Sequence, residues 1–275
     1  MMNRKEIAQE TLRIQQQGHY EYEGRRVDFA EAQKRSEENS ELITPEQGTE
    51  LVRASTALPR LEKSASCSAA NEATVKAILD FASAEKEHVG VLNFASAKNA
   101  GGGFLNGAMA QEESLAASSG LYLTQLRNEG YYKANRAHRS MMYTDHAIYS
   151  PDVVFFRDER FNLLNQPVTA SVLTLPAVNY GQVVLKGEDP QKAEQVMKDR
   201  MRLALAIFAH KGDKNLILGA YGCGVFRNDP VKVAEWWREL LDDEGYEALF
   251  SEVRFAVLDS SKGGNSIRAF EKVFG

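Results

Sequence analysis

Cysteine is nearly absent: Cys67 and Cys223 are the only two in 275 residues, and they lie far apart in the chain. That excludes a disulfide framework and a paired thiolate zinc site, and both are expected to be reduced thiols. The five histidines, His19, His88, His138, His146 and His210, never fall at a metal-ligand spacing such as H-E-x-x-H, so neither a metal nor another cofactor is expected. Long apolar runs are missing too. No segment reaches the roughly 20 apolar residues of a membrane helix, and MMNRKEIAQE has no apolar signal core, which points to the cytoplasm. A basic excess is also lacking, with 38 acidic residues against 33 basic and a formal charge of −5. Proteins that grip long nucleic acid usually carry a basic stripe, so an anionic ligand here must be met by local backbone donors.

What is present is an ordinary globular composition, 43% hydrophobic and 26% charged, with enough chain for a well-buried core. A helix signal opens it: Asn3 as N-cap, Glu6 three residues on, and Gly18 as a stop. Residues 37–68 carry few periodic apolar residues and two prolines, and are expected to wrap the surface irregularly. Residues 1–68 therefore read as a helical and irregular extension, and 69–275 as the main domain. From about Asn71 short β-rich runs alternate with amphipathic stretches. Strands are expected at 89–94, 153–156, 171–175, 216–219 and 253–258, several of them continuously apolar, as in sheets covered on both faces. Helices are expected at 190–210, from the N-cap Asp229 with Pro230 behind it, and at 266–274. The pattern predicts a three-layer α/β/α sandwich with a mostly parallel sheet, whose ligand lies at the carboxyl ends of the strands.

Those strand ends hold the unusual residues. After the strand ending Asn93 and Phe94, a loop of small and polar residues contains Asn99 and the consecutive Gly101, Gly102 and Gly103. Gln111, Glu112 and Glu113 then open what reads as one helix running to Leu126, with two carboxylates in its first turn. A glutamate pair alone would merely complement the helix dipole. Three glycines beside it offer unhindered N–H donors for a phosphate. A second loop, Gly219 to Asn228, again joins a strand to a helix, and its Gly222 and Gly224 serve either the same ligand or a tight turn. Cys223 between them has no base nearby in sequence, which argues against a nucleophile. From Tyr131 to Tyr143 aromatic and basic residues interleave. That stretch is either a surface for extended polymer or a solvated helix end with packed tyrosines.

The string N-F-A-S-A-K-N-A-G-G-G-F-L-N-G-A-M-A-Q-E-E-S-L, from Asn93 to Leu115, resembles the signature of bacterial-type poly(ADP-ribose) glycohydrolases, a branch of the macrodomain superfamily. The segment G-A-Y-G-C-G-V-F-x-N from Gly219 to Asn228 resembles the diphosphate loop of that family, and I-A-Q-E-T-L and Y-S-P-D-V-V-F-F-R-D resemble its flanking regions. The resemblance implies a macrodomain core with a helical N-terminal extension. It also implies hydrolysis of the ribose–ribose bond of ADP-ribose polymer, with ADP-ribose as product and no membrane or obligate protein partner. By position it makes Glu113 the catalytic residue, with Glu112 and Gln111 placing the ribose beside Asn93 and Asn99. Gly101 to Gly103 and the loop of Gly222, Cys223, Gly224, Val225 and Phe226, closed by Asn228, would clasp the diphosphate, with Phe226 against the ribose.

Ribosyl cleavage passes through an oxocarbenium-like state, so it needs an acid for the leaving oxygen and a carboxylate that activates water. Neighbouring helical residues point about 100° apart. Glu112 and Glu113 are therefore not expected to flank one bond, and Glu112 is expected to bind ribose hydroxyls and to raise the pKa of Glu113. Alternatives on the same site are a non-hydrolysing ADP-ribose reader and a hydrolase of ADP-ribose attached singly to protein or nucleic acid.

Overall fold

A computed structural model describes residues 3–275. The expected first helix is there: α1 (Arg4–Gln17) is closed by a reciprocal Asn3–Glu6 capping box and ended by left-handed Gly18. The chain continues through a hairpin of β1 (His19–Tyr22) and β2 (Arg25–Asp28), then α2 (Ala30–Glu38), β3 (Glu41–Ile43), α3 (Pro45–Ala54) and β4 (Ser66–Ala70). Next come α4 (Thr74–Ser83), β5 (Val89–Phe94), α5 (Gln111–Ser118), α6 (Leu121–Leu126) and α7 (Glu129–Ala137). A long hairpin of β6 (Ala147–Arg157) and β7 (Leu163–Leu175) leads to α8 (Tyr180–Leu185), α9 (Pro190–Lys211) and β8 (Asn215–Leu218). The chain closes with α10 (Pro230–Arg238), β9 (Glu252–Ala256) and α11 (Asn265–Phe274).

Seven strands form one mixed sheet in the order β3, β6, β7, β5, β8, β9, β4. From β7 to β4 every neighbouring pair is parallel, while β6 runs antiparallel to both β7 and β3. Alternate residues of each strand feed opposite faces. Leu92, Leu173, Leu216 and Phe255 pack with α9, α10 and α11 in one cluster, whereas Val91, Val172, Ile217 and Ala256 pack with α4, Leu115 and Leu121 in another. Apolar residues on both faces explain the continuous hydrophobic runs in the sequence, and the expected three-layer architecture follows from them.

Two local expectations need correction. Residues 37–68 are not irregular: they supply β3, α3 and β4, the first and last of which are the two edge strands of the sheet. Thr44 and Gln47 form a capping box around Pro45, a helix start that the low apolar content obscured. The stretch 111–126 is two helices. It breaks where Gly120 N donates to Val154 O at 2.9 Å and Ser119 bridges to Phe155, so a strand captures the backbone that would have continued the helix.

The N-terminal helices pack on the outer side of β6. Ile14, Tyr20 and Phe29 cluster with Val154 and Phe156, and the buried Arg157 binds Thr11 Oγ1 at 3.1 Å and pairs with Glu10. Removing residues 1–68 should therefore bare β6 and β9 as open edges. The remaining 207-residue fragment, 69–275, is expected to aggregate or to unfold without a cooperative transition, as followed by circular dichroism and size-exclusion chromatography.

Candidate active site

The site is built where β5 ends. Gln111 clamps the start of α5 onto the strand: its Oε1 accepts from Phe94 N and its Nε2 donates to Leu92 O, both at 2.8 Å. Its amide is thus consumed in tying helix to strand. With that register set, Glu112 turns inward and becomes buried, while Glu113 stays half-exposed on the wall of a cleft.

The glycine loop folds back between these two carboxylates. Gly101 N donates to Gln125 Oε1 at 2.8 Å, Gly102 N to Asn99 O at 3.0 Å, and Gly103 N to Glu113 Oε1 at 2.8 Å. All three donors are engaged internally, so the expectation of free phosphate donors in this loop does not hold. Gly102 is needed for another reason. Its φ is +57°, and a Cβ there would overlap Glu113 Oε1 and lie 3.0 Å from Glu112 Oε2. Both carboxylates therefore close on the space beside the Gly102 backbone.

Glu112 sits in a cage of N–H donors. Oε2 accepts from Ser96 N at 2.7 Å, and Oε1 from Gln125 Nε2 at 2.9 Å and Asn93 Nδ2 at 3.3 Å. Burial pushes its carboxyl up to about 8; the three hydrogen bonds oppose that rise and the neighbouring Glu113 charge adds a little to it. The raised carboxyl is thus Glu112 itself. Glu113 is held by backbone: Oε2 accepts from Ala110 N at 3.0 Å, beside the Gly103 bond. Asn93 is fully buried behind Glu112 and also donates to Thr174 Oγ1 at 3.1 Å, so it supports the site from beneath, while Asn99 is exposed at the rim.

Across the cleft stands the β8–α10 loop. Its shape is kept by Asn228, a buried residue whose Nδ2 donates to Val178 O at 2.8 Å and Gly222 O at 3.0 Å. The N–H groups of Gly222, Gly224, Val225 and Phe226 meet no acceptor among the described residues. These four successive or near-successive N–H groups are free to meet an anion, as those of the triple glycine are not. Cys223 Sγ donates weakly to Tyr221 O at 3.6 Å, and burial raises its thiol, with the Asp229 charge adding to the shift, so it is no nucleophile. Between the loops the cleft measures about 1400 Å³, ample for a dinucleotide-sized ligand. Residues that sequence reasoning missed also line it. Val257, Leu258 and Ser260 follow β9, and Thr74 and Val75 open α4; on the opposite side stand Tyr132, Arg136 and Tyr143, from the interleaved aromatic and basic stretch already singled out in the sequence. The residues after β9 and at the start of α4 have no motif; only the sheet order brings them to the cleft.

The family model for the microbial-type PARG catalytic domain matches residues 8–158, more than half of the chain. The chain belongs to the microbial-type poly(ADP-ribose) glycohydrolases. It is accordingly a glycoside hydrolase on a macrodomain-like fold. The poly(ADP-ribose) glycohydrolase of Thermomonospora curvata is 37% identical, with a TM-score of 0.94 over 98% of this chain and 99% of that one. A structure of the same glycohydrolase bound to the inhibitor ADP-HPD gives 37% identity and a TM-score of 0.91 over 98% of each chain. The Deinococcus radiodurans glycohydrolase in complex with ADP-ribose is 40% identical, with a TM-score of 0.84 over 90% of this chain and 98% of that one. No curated protein sequence matches.

Two outcomes follow for this glycohydrolase site. Gly102→Ala should displace Glu113 and lower turnover about 100-fold, as expected for a misplacement of an ångström, and the left-handed φ should lower the melting temperature as well. The second concerns Glu112, whose folded-state carboxyl titrates near 8 rather than at its ordinary 4.5. The folded chain then holds the extra proton between those values, so its contribution to stability is full below 4.5 and is lost as pH rises through about 8. Asp213, raised to about 7 by burial, acts with the same sign. Urea unfolding across this range should show stability falling with pH in the parent, and Glu112→Gln should remove part of that fall.

Proposed function

We propose that this chain releases ADP-ribose by cleaving the ribose–ribose O-glycosidic bond, with Glu113 handling the proton. The observation that carries this reading is the convergence of both carboxylates on Gly102, facing a loop of free backbone N–H donors across one cleft. The diphosphate rests on Gly222 to Phe226, and the distal ribose reaches back to Glu112 and Glu113 against the ring of Phe226. This fits the ADP-ribose and ADP-HPD held by the related glycohydrolases.

Glu113 protonates the leaving ribose oxygen as the glycosidic bond breaks, which leaves a carboxylate beside the oxocarbenium-like centre. That carboxylate then takes a proton from the incoming water. The Gly103 and Ala110 N–H groups hold its oxygens in place throughout. Glu112, caged and protonated near neutral pH by its burial, offers a ribose hydroxyl a hydrogen-bonding partner without setting a second negative charge beside Glu113. Gln111 contributes by fixing α5 to β5. We place the chain in the cytoplasm, in keeping with its two unpaired cysteines.

Glu113→Gln keeps the shape of the side chain and removes the transferable proton. It should slow release of ADP-ribose from automodified polymer by about 100- to 10,000-fold, while ADP-ribose binding by calorimetry stays near parental. Release at the parental rate would refute the role of Glu113.

A further inference from the structure

The cleft continues past the carboxylates. Under the proposed reading the diphosphate lies on the loop after β8 and the reacting ribose at the loop after β5, so the adenosine half extends toward β9 and β4. The leaving side of the bond must then run the other way along the sheet, toward β7 and β6. On that side the wall of the same cleft is made by Leu126, Glu129, Tyr132, Arg136 and Tyr143.

The residues there are equipped to hold a ligand. Tyr132 is 2% exposed, yet its hydroxyl has no hydrogen-bond partner, although a phenol normally finds one when buried. Arg136 lies over the Tyr132 ring, 6.0 Å from its centroid, and is anchored by Nε donating to Lys98 O at 2.8 Å. That single anchor orients the guanidinium, and its two terminal nitrogens have no carboxylate partner among the described residues. The one acidic group on this wall, Glu129, is answered by Lys133 at 2.7 Å. Leu126 is 49% exposed and adds an apolar face, and Tyr143 stands against Phe226 with ring centroids 6.1 Å apart. A hydroxyl seeking a partner, an oriented cation and an apolar surface match ribose, phosphate and base.

We propose that Tyr132, Arg136 and Leu126 form a subsite for the ADP-ribose unit on the leaving side of the scissile bond. The subsite rests on the glycohydrolase reading and extends it: the chain grips polymer on both sides of the cleaved bond. Its Arg136 meets the diphosphate of the departing unit, and the Tyr132 hydroxyl a ribose hydroxyl.

The test compares Tyr132→Phe and Arg136→Ala with the parent on two substrates, automodified polymer and an ADP-ribose glycoside with a small phenolic leaving group. On polymer, kcat/KM should fall roughly tenfold for Arg136→Ala and about three- to tenfold for Tyr132→Phe. On the small glycoside both variants should match the parent. Tyr132→Phe discards an unsatisfied hydroxyl and should also raise the unfolding midpoint, which separates a lost contact from a damaged fold. Equal losses on the two substrates, or none on polymer, would overturn the subsite while leaving the glycohydrolase reading intact. A parent inactive on both substrates would overturn the two together.

Discussion

The site depends on one buried carboxyl. Glu112 is wedged beneath the glycine loop, and the groups that surround it come from β5 through Asn93, from α6 through Gln125 and from the loop itself through Ser96. Gln125 extends the network by donating to Thr174 on β7 and accepting from Gly101. A buried carboxyl without such partners would be strongly unfavourable, so four separate segments are obliged to meet around it. Their meeting leaves Gly102 no room for a side chain and sets Glu113 at the surface of the cleft. Under the proposed role of Glu113, its preorganisation is therefore a by-product of satisfying its buried neighbour.

The N-terminal helices brace that arrangement from outside. Thr11 Oγ1 donates to Ala117 O at 2.8 Å, and Ala8 packs with Phe104, Ala116 and Ala117. α1 thereby touches both the loop and the helix that carry the carboxylates. Because Arg157 ties α1 in turn to β6 through Glu10 and Thr11, the brace is anchored in the sheet. A loop that must hold two carboxylates against one glycine gains from such a support, since small displacements there are costly to catalysis.

Electrostatics in this molecule is local. A chain with a net charge of −5 has no long-range attraction for a polyanion, and under the proposed reading the anion is met instead by undisguised N–H groups on a short loop and by Arg136 at one end of the cleft. Fixed backbone dipoles of this kind need no reorganisation when ligand arrives, which suits the handling of a diphosphate next to carboxylates.

Much of this was legible in the sequence. Runs such as 89–94 and 171–175 are apolar on both faces and announce a covered parallel sheet, and the caps at Asn3, Asp229 and Gly18 mark helix ends by local chemistry alone. The glutamate pair and the two glycine loops were also visible, because close backbone approach demands glycine wherever it occurs. Other features depend on contacts between distant segments. β3 and β4 are short and weakly apolar, and become strands only because β6 and β9 present open edges. The helix break at Gly120 exists because β6 captures its N–H. Which N–H groups remain free was likewise decided in three dimensions, since Gln125, Asn99 and Glu113 accept from the first loop while no acceptor among the described residues meets the N–H groups of Gly222, Gly224, Val225 and Phe226. The sequence by itself determined the residue types and the local turns, through backbone sterics and apolar periodicity; the tertiary structure alone decided which donors face the ligand and which carboxyl is buried, because hydrogen-bond partners and desolvation come from residues far away in the chain.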